Sequence, residues 1–217
     1  MGGLAMELDI RADDALIVVD LQVDFLPGGR LAVADGDSVV TPIEALADRF
    51  ANVLLTQDWH TPHHISFASS HPGRQPFELI TLDYGPQVLW PDHCVMGTRG
   101  AEIVSPMLLD KAQLVLRKGY NDGVDSYSGF READRKTLTG LAGYLRERGL
   151  KRLFITGLAT DFCVNWTAQD AAANGFETIV VEDLTRAIDT NGSLASARGD
   201  MDKAGVRRIS QAELLVG

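Results

Sequence analysis

The sequence predicts an α/β protein with a doubly wound, mainly parallel β-sheet flanked by helices on both faces, and three observations support this class. Short apolar runs recur along the chain, and most are continuous rather than alternating, as is typical of strands buried on both faces. Segments with helical apolar spacing lie between several of them, which indicates right-handed strand–helix–strand units. Hydrophobic residues make up 45% of the chain and charged residues 23%, a balance that permits a buried core.

The individual elements follow from local patterns. The predicted strands are 15–19, 53–56, 114–116, 153–156, 178–181 and, with a weaker apolar signal, 206–209. The predicted helices are 39–50, 137–148, 163–174 and 194–204, and Gly149, Gly175 and Gly205 are expected to end the last three. The segment 58–106 breaks this alternation, and an irregular stretch of that length in a compact domain is usually functional.

The domain organisation is expected to be simple. Residues 1–14 form a polar N-terminal extension without a signal-peptide apolar region, and residues 15–217 are predicted to form a single domain. No apolar stretch approaches the roughly 20 residues that cross a bilayer. The net charge of −10, without a basic run, argues against nucleic-acid or anionic-membrane partners. Two cysteines are too few for a disulfide scaffold, so a cytoplasmic location is the simplest expectation.

Chemically capable side chains follow four of the predicted strands. Asp20, Asp58 and Lys118 come at or just beyond the strand ends, and Cys163 follows a short loop after the fourth. Ligands of open α/β sheets bind beyond the carboxyl ends of the strands. We therefore expect these four residues to converge on one edge of the sheet.

Cys163 is the candidate nucleophile. At a helix N-terminus and near a cation, its thiol pKa is expected to fall from about 8.5 towards neutrality. The N–H groups of residues 159–163 could then hold an oxyanion. Asp20 could accept the thiol proton, and Lys118 could keep both groups charged. The alternatives are a buried apolar cysteine, a turn aspartate and a solvated lysine, and Cys94 is expected to be structural.

All of the histidines lie in the irregular segment and suggest a metal site. Asp58 opens the motif DWHTPHH, His71 follows, and His93 ends the motif WPDH. Carboxylate and imidazole ligands suit zinc, iron or manganese better than calcium. The alternative is a polar loop that is merely rich in histidine. The sequence therefore favours one divalent metal ion without identifying it.

Five motifs, taken in order, carry a family resemblance. The stretches VVDLQVDFLPGGRLAV, TQDWH, WPDHCVMGT, KGYNDGVDSYSGF and GLATDFCV resemble the nicotinamidases (pyrazinamidases) of the isochorismatase-like hydrolase superfamily. The resemblance runs from about residue 15 to the last predicted helix. It implies a doubly wound α/β fold and hydrolysis of a small aromatic amide, nicotinamide, to nicotinate and ammonia through a cysteine thioester. It also implies a role in NAD salvage and activity on pyrazinamide.

The resemblance assigns roles to individual residues. Cys163 matches the nucleophile, Asp20 the general base and Lys118 the third member of the triad. The residues that match the metal ligands, for which zinc is the first expectation, are Asp58, His60, His64 and His93. The choice of His64 rests on its place before Ser66 and Phe67, and His63 is the competing assignment.

The pocket is assigned in the same way. Phe25 and Trp90 match the aromatic residues that flank the pyridine ring, and Tyr127 and Ala159 are further expected substrate-binding residues. Ala159 and Cys163 match the oxyanion donors, and the bond between Ala159 and Thr160 matches one that is cis in the family. Val23 departs from the Asn often found after the Gln of the first motif, which we expect to affect packing only.

Rival readings remain open at this point. Isochorismatases keep the fold but lack the metal cluster and the cysteine nucleophile, and carbamoyl amidases of the superfamily keep the triad without this metal loop. A non-catalytic ligand-binding module would require a broken triad, whereas Asp20, Lys118 and Cys163 are all present. The sequence leaves the oligomeric state, monomer or homo-oligomer, undecided.

Overall fold

A computed structural model describes residues 8–214. Its strands are β1 (Asp14–Val19), β2 (Val53–Asp58), β3 (Leu79–Leu82), β4 (Gly85–Val88), β5 (Leu114–Lys118), β6 (Arg152–Leu158), β7 (Glu177–Arg186) and β8 (Arg207–Ile209). Six of them form one parallel sheet in the order β5-β2-β1-β6-β7-β8, and β3 pairs with β4 in an antiparallel hairpin. Since the order reverses at β1, the sheet is doubly wound and its switch point lies between β1 and β6.

The helices flank this sheet on both faces, which confirms the predicted fold class. They are α1 (Val40–Ala47), α2 (Pro106–Lys111), α3 (Leu141–Glu147), α4 (Asn165–Ala173) and α5 (Ser193–Lys203). Gly149, Gly175 and Gly205 all have positive φ just beyond helix ends, as predicted. The short helix α2 was not predicted; Pro106 opens it, and the Ser105 hydroxyl caps it by accepting from the Leu108 N–H.

Helix α3 begins four residues later than the sequence indicated. Thr137 is held in a turn because its N–H and its hydroxyl both donate to the carboxylate of Asp134. Leu138 then forms an isolated antiparallel bridge with Arg131. These contacts keep the backbone extended until Gly140, which has a φ of 92°, so the helix starts at Leu141.

Two apolar layers sandwich the sheet. Side chains alternate along β1, so that Leu16 and Val18 pack into the layer that includes α1 and α2, whereas Ala15, Ile17 and Val19 pack into the layer of α3, α4 and α5. Every residue of β1, β2 and β6 is buried. This double burial explains the continuous apolar runs in the sequence.

The described part of the N-terminal extension packs onto the domain. Leu8 bridges to Leu214, and Arg152 donates to the backbone carbonyl of Asp9 and to the buried carboxylate of Asp14. The first seven residues of the expected extension lie outside the described residues. Within residues 8–214, no helix is both long enough and apolar enough to cross a membrane.

Candidate active site

The carboxyl ends of β1, β5 and β6 bring three predicted site residues together. Asp20 directly follows β1 with a φ of 47°, and Lys118 is the last residue of β5. Cys163 lies in a single turn of π-helix, Thr160–Val164, which joins β6 to α4. The sheet edge at the switch point therefore carries the nucleophile candidate and its two partners.

Lys118 is the centre of this cluster. Its Nζ lies 2.8 Å from Asp20 Oδ2 and 3.4 Å from Cys163 Sγ, and it also contacts the carboxylate of Asp58. The carbonyl of Ser126 accepts a further hydrogen bond from Nζ at 3.0 Å. The lysine is only 1% exposed, so these contacts replace its hydration.

Burial dominates the electrostatics of the cluster. It would lower the pKa of Lys118, but the carboxylates of Asp20 and Asp58 hold that pKa well above its usual value, so the ammonium stays charged. Burial raises the pKa of Asp20, and the neighbouring Asp58 adds to this, against the effect of Lys118. A carboxylate with a raised pKa is a better proton acceptor than an ordinary aspartate.

The expectation of a low thiol pKa at Cys163 was wrong. Burial raises the pKa of Cys163 well above its usual value; Lys118 opposes this, and Asp20 and Asp58 add to it. Position at a helix start does not overcome this, because the sulfur lies among carboxylates and is withdrawn from water. The resting residue is therefore a thiol, and a base has to remove its proton as it attacks.

Asp20 is arranged to do this. Its Oδ1 accepts a 2.6 Å hydrogen bond from the hydroxyl of Thr56, a residue of β2. Its Oδ2 contacts Lys118 as an ion pair, but no donor among the described residues is aligned to hydrogen-bond with that oxygen. Ligand atoms of Asp20 and Cys163 lie within 4.8 Å of each other. One carboxylate oxygen is thus held while the other is available to the thiol.

A second cluster, of Asp58, His60 and His93, suits a metal ion. One ligand atom from each lies within 4.8 Å of the others, and all three residues are buried. The Nδ1 atoms of His60 and His93 lie 3.0 and 2.8 Å from the carbonyls of Gly119 and Pro91. These bonds turn both Nε2 atoms towards Asp58 Oδ2, at 3.7 and 3.8 Å. Backbone-anchored imidazoles facing a carboxylate are the arrangement that metal ligands adopt.

His64 lies beside this cluster but is engaged elsewhere. Its ring centroid is 4.5 Å from that of His60, yet its Nδ1 lies 2.8 Å from the Ser66 hydroxyl and its Nε2 lies 2.9 Å from the Asn121 carbonyl. His64 groups with His60 and Asp125 rather than with Asp58 and His93. To bind the same ion, it would have to give up one of these partners. The competing residue, His63, is exposed.

The two clusters lie beside one cavity, which Cys163, Asp58 and His93 line. Its walls are mainly aromatic and aliphatic, and Cys163 shares it with two residues of the metal cluster. The lining residues are Phe25, Leu31, Asp58, Trp90, His93, Tyr127, Ala159, Phe162, Cys163 and Ile188. All of the predicted substrate-binding residues are among them, so a small ring held here would lie close to the sulfur.

Sequence reasoning missed two residues that fix the metal cluster. Gln22 donates from its side-chain amide to the Asp58 carbonyl at 2.8 Å and accepts from the Asp58 N–H at 2.7 Å. Gly119 lies so close to His60 that a Cβ there would come within 2.5 Å of its ring. The position of Gln22 in the first motif, and of Gly119 directly after Lys118, could have indicated a role for both residues. Their contacts, however, depend on the fold and could not be predicted from the sequence.

The cis peptide bond lies one residue earlier than expected. The cis peptide bond joins Leu158 to Ala159 rather than Ala159 to Thr160. Strand β6 continues to Leu158, and Ala159 is the residue that precedes the π-helical turn, so the chain changes direction there. The Ala159 carbonyl accepts from the N–H groups of Phe162 and Val164.

Comparisons with known proteins agree with this geometry. Residues 14–213 match the Isochorismatase domain family. A nicotinamidase of Acinetobacter baylyi is 55% identical over 202 residues, which cover 93% of this chain and 94% of the relative. The solved structure of an Acinetobacter baumannii nicotinamidase/pyrazinamidase has a TM-score of 0.92 and 55% identity, covering 94% of this chain and 99% of that one. A pyrazinamidase of Pyrococcus horikoshii in complex with zinc has a TM-score of 0.75 and 34% identity, covering 91% and 99%.

These matches span nearly the whole chain, and they confirm both the family and the enzyme class inferred from the motifs. The solved relatives share the fold of this chain over more than nine-tenths of its length. The chain therefore belongs to the isochorismatase-like hydrolase superfamily and, within it, to the nicotinamidase/pyrazinamidase family of amidohydrolases.

Proposed function

We propose that this enzyme hydrolyses nicotinamide to nicotinate and ammonia through a thioester on Cys163, and that pyrazinamide is a second substrate. The observation that carries the proposal is the contact of Lys118 with both Asp20 and Cys163, beside a cavity that Cys163 lines together with Asp58 and His93. The named relatives, nicotinamidases and pyrazinamidases, support the same substrates.

The acylation half-reaction uses Asp20 as a proton shuttle. Asp20 takes the proton of the Cys163 thiol as the sulfur forms a bond to the amide carbon. The N–H groups of Ala159 and Cys163 hold the resulting oxyanion. Collapse breaks the carbon–nitrogen bond, and Asp20 returns the proton to the departing nitrogen, so that ammonia leaves and the acyl group remains on sulfur.

The deacylation half-reaction runs in the same order with water. Asp20 removes a proton from the attacking water, the carbon–sulfur bond breaks, and the proton returns to the Cys163 sulfur. Lys118 stays protonated throughout and compensates the negative charge that moves between Asp20 and Cys163. The net charge of the buried cluster therefore does not change when the proton moves between Cys163 and Asp20.

A divalent metal ion fits the donor set of Asp58, His60 and His93. Zinc is the first choice because a carboxylate and two imidazoles form an ordinary zinc ligand set and because the Pyrococcus horikoshii relative was solved with zinc. When bound, the metal would act as a Lewis acid that orients and polarises the substrate through its ring nitrogen. Phe25 and Trp90 would flank the ring and exclude water from the reacting carbon.

An ammonia-release assay on a panel of amides tests this proposal. Nicotinamide and pyrazinamide carry a ring nitrogen, whereas benzamide has the same ring size without one. We expect turnover of the first two, little turnover of benzamide, and loss of activity after chelation that a divalent metal restores. Equal turnover of all three amides, unaffected by chelation, would remove the metal from the proposal; no turnover of any would remove the activity.

A further inference from the structure

A buried hydrogen-bond network adjoins the aromatic wall of the cavity on the side of the β3–β4 hairpin. Its centre is the hydroxyl of Tyr127, whose ring lines the cavity together with Trp90. Trp90 donates from Nε1 to this hydroxyl at 3.0 Å, and Gln87 of β4 donates to it from Nε2 at 3.0 Å. The same Nε2 atom of Gln87 also donates to the carboxylate of Asp125 at 2.6 Å, so Gln87 links that carboxylate to the hydroxyl. The polar edge of the indole is thus linked, through Tyr127, to Gln87 and Asp125, which do not line the cavity.

Asp125 is an unusual member of this network because it is a buried carboxylate, only 2% exposed. Among the described residues, no lysine or arginine forms an ion pair with it. It is stabilised instead by hydrogen bonds from Gln87 Nε2 at 2.6 Å and from the Ser126 N–H at 2.8 Å. A buried charge is tolerated only where several donors satisfy it, so the loss of one donor is expected to disturb the rest.

The Tyr127 hydroxyl accepts hydrogen bonds from two side chains of the network. A phenolic hydroxyl offers one proton and accepts about two hydrogen bonds. Burial raises the pKa of Tyr127 well above its usual value, and Asp125 adds to the effect, so the proton stays on the oxygen. The oxygen accepts from Trp90 and Gln87, which fills both of its acceptor positions. Tyr127 therefore contributes its ring to the cavity and its hydroxyl to the network.

The network holds the only polar atom of the Trp90 side chain. The other ring contacts of this indole are edge-on, with Phe77 at a centroid distance of 6.0 Å and Phe162 at 4.8 Å. Such contacts are weakly directional compared with a hydrogen bond. The tilt of the indole in the cavity wall is consequently set at its Nε1 atom.

We propose that Gln87 and Asp125 are positioning residues for substrate binding. Acting through the Tyr127 hydroxyl, they hold the indole of Trp90 in the orientation in which it flanks the aromatic ring of the substrate. This inference rests on the proposed function, because it requires the substrate ring to bind beside Trp90. It also gives the β3–β4 hairpin a role in the reaction, since the hairpin supplies Gln87.

The first test separates binding from chemistry. Tyr127→Phe removes only the hydroxyl, and we expect KM for nicotinamide to rise about five-fold, the effect of one lost hydrogen bond, with kcat changed less than about two-fold. Asp125→Asn, which keeps the shape but not the charge, should also raise KM. Because Asp125 lies within 4.8 Å of ligand atoms of His60 and His64, the metal content of this variant is measured as well and should stay at the wild-type level. Tyr144→Phe is the matched control, because Tyr144 lies on α3 and does not line the cavity.

A double-mutant cycle decides whether the effect passes through Trp90. Trp90→Phe has no Nε1 atom to be held, so adding Tyr127→Phe to it should raise KM no further. Additive effects on KM would overturn the inference, as would an unchanged KM in both Tyr127→Phe and Asp125→Asn, whether or not Tm falls. Absence of ammonia release by the wild-type enzyme would instead refute the proposed function, which keeps the two failures distinct.

Discussion

The strand-end edge of the sheet and the 58–106 segment contribute to the same cavity, but they are built differently. At the strand ends, Asp20, Lys118 and Cys163 are brought together by the order of parallel strands. In the 58–106 segment, His60 and His93 are oriented by single hydrogen bonds to the carbonyls of Gly119 and Pro91. The first arrangement depends on the scaffold as a whole, whereas the second depends on individual contacts that one substitution can remove.

The largest expected effect concerns the strand-end edge. Cys163→Ala should lower kcat at least about 10³-fold, because Cys163 supplies the only thiol among the described residues that line the cavity. Cys94→Ala is the matched control, since Cys94 is also buried but does not line the cavity. Ammonia release from nicotinamide measures both. Comparable activity in the two variants would show that Cys163 is not the nucleophile.

The next effect concerns the loop-built metal cluster. Gly119→Ala places a Cβ within 2.5 Å of the His60 ring and, with a φ of 73°, also strains the backbone. We expect its metal content, measured by elemental analysis after purification, to fall at least about ten-fold, the usual effect of disturbing a ligand's support.

Gly123→Ala is the control for this loop, because a Cβ at Gly123 meets nothing within 4 Å. It should retain metal at the wild-type level. If Gly119→Ala also kept the wild-type metal content, metal binding would not depend on the close contact between Gly119 and the His60 ring.

The smallest expected effect sharpens the role of Asp20. In the wild-type enzyme, the Thr56 hydroxyl donates to Asp20 Oδ1 and so lowers the pKa of Asp20, which burial has raised. Thr56→Val removes this hydroxyl. Because Asp20 must be deprotonated to act as a base, activity is lost as pH falls through its pKa. Removing the donor raises that pKa further, so the acid limb of the kcat/KM profile should move to higher pH.

Thr156→Val provides the comparison for this shift. Thr156 lies in β6, on the other side of β1 from Thr56. Its buried Oγ1 has no hydrogen-bond partner among the described residues. Its pH profile should match that of the wild-type enzyme. If the acid limb moved equally in both variants, or in neither, the hydrogen bond from Thr56 would not control the pKa of the catalytic base.

The two regions also differ in how far the sequence predicts them. Continuous apolar runs located five of the six strands of the main sheet, and a weaker signal located β8. The signal is clear where both faces of a strand are buried, as in β1, β2 and β6. The residues after the strands were found to be neighbours. The β3–β4 hairpin was missed because its exposed and half-buried residues, such as Leu79, carry no comparable pattern. Helix α2 was missed because six residues are too few to establish a helical period.

Within the site, residue identity was easier to predict than environment. The high thiol pKa at Cys163 arises from burial and from two carboxylates on other strands, which no local motif contains. The contacts of Gln22 with Asp58 and of Gln87 with Tyr127 likewise join segments far apart in sequence. Their physical cause is tertiary packing, so they are visible only once the strands are in place.

The position of Lys118 makes catalytic activity depend on the docking of an edge strand. It belongs to β5, the outermost strand on that side, and β2 separates it from β1, which carries Asp20. Adjacent strands lie about 4.8 Å apart, so only a long, extended side chain reaches across two of them. Catalytic competence thus requires the last edge strand to have docked, and a partly folded chain without β5 would contain the thiol and its base but turn over no amide.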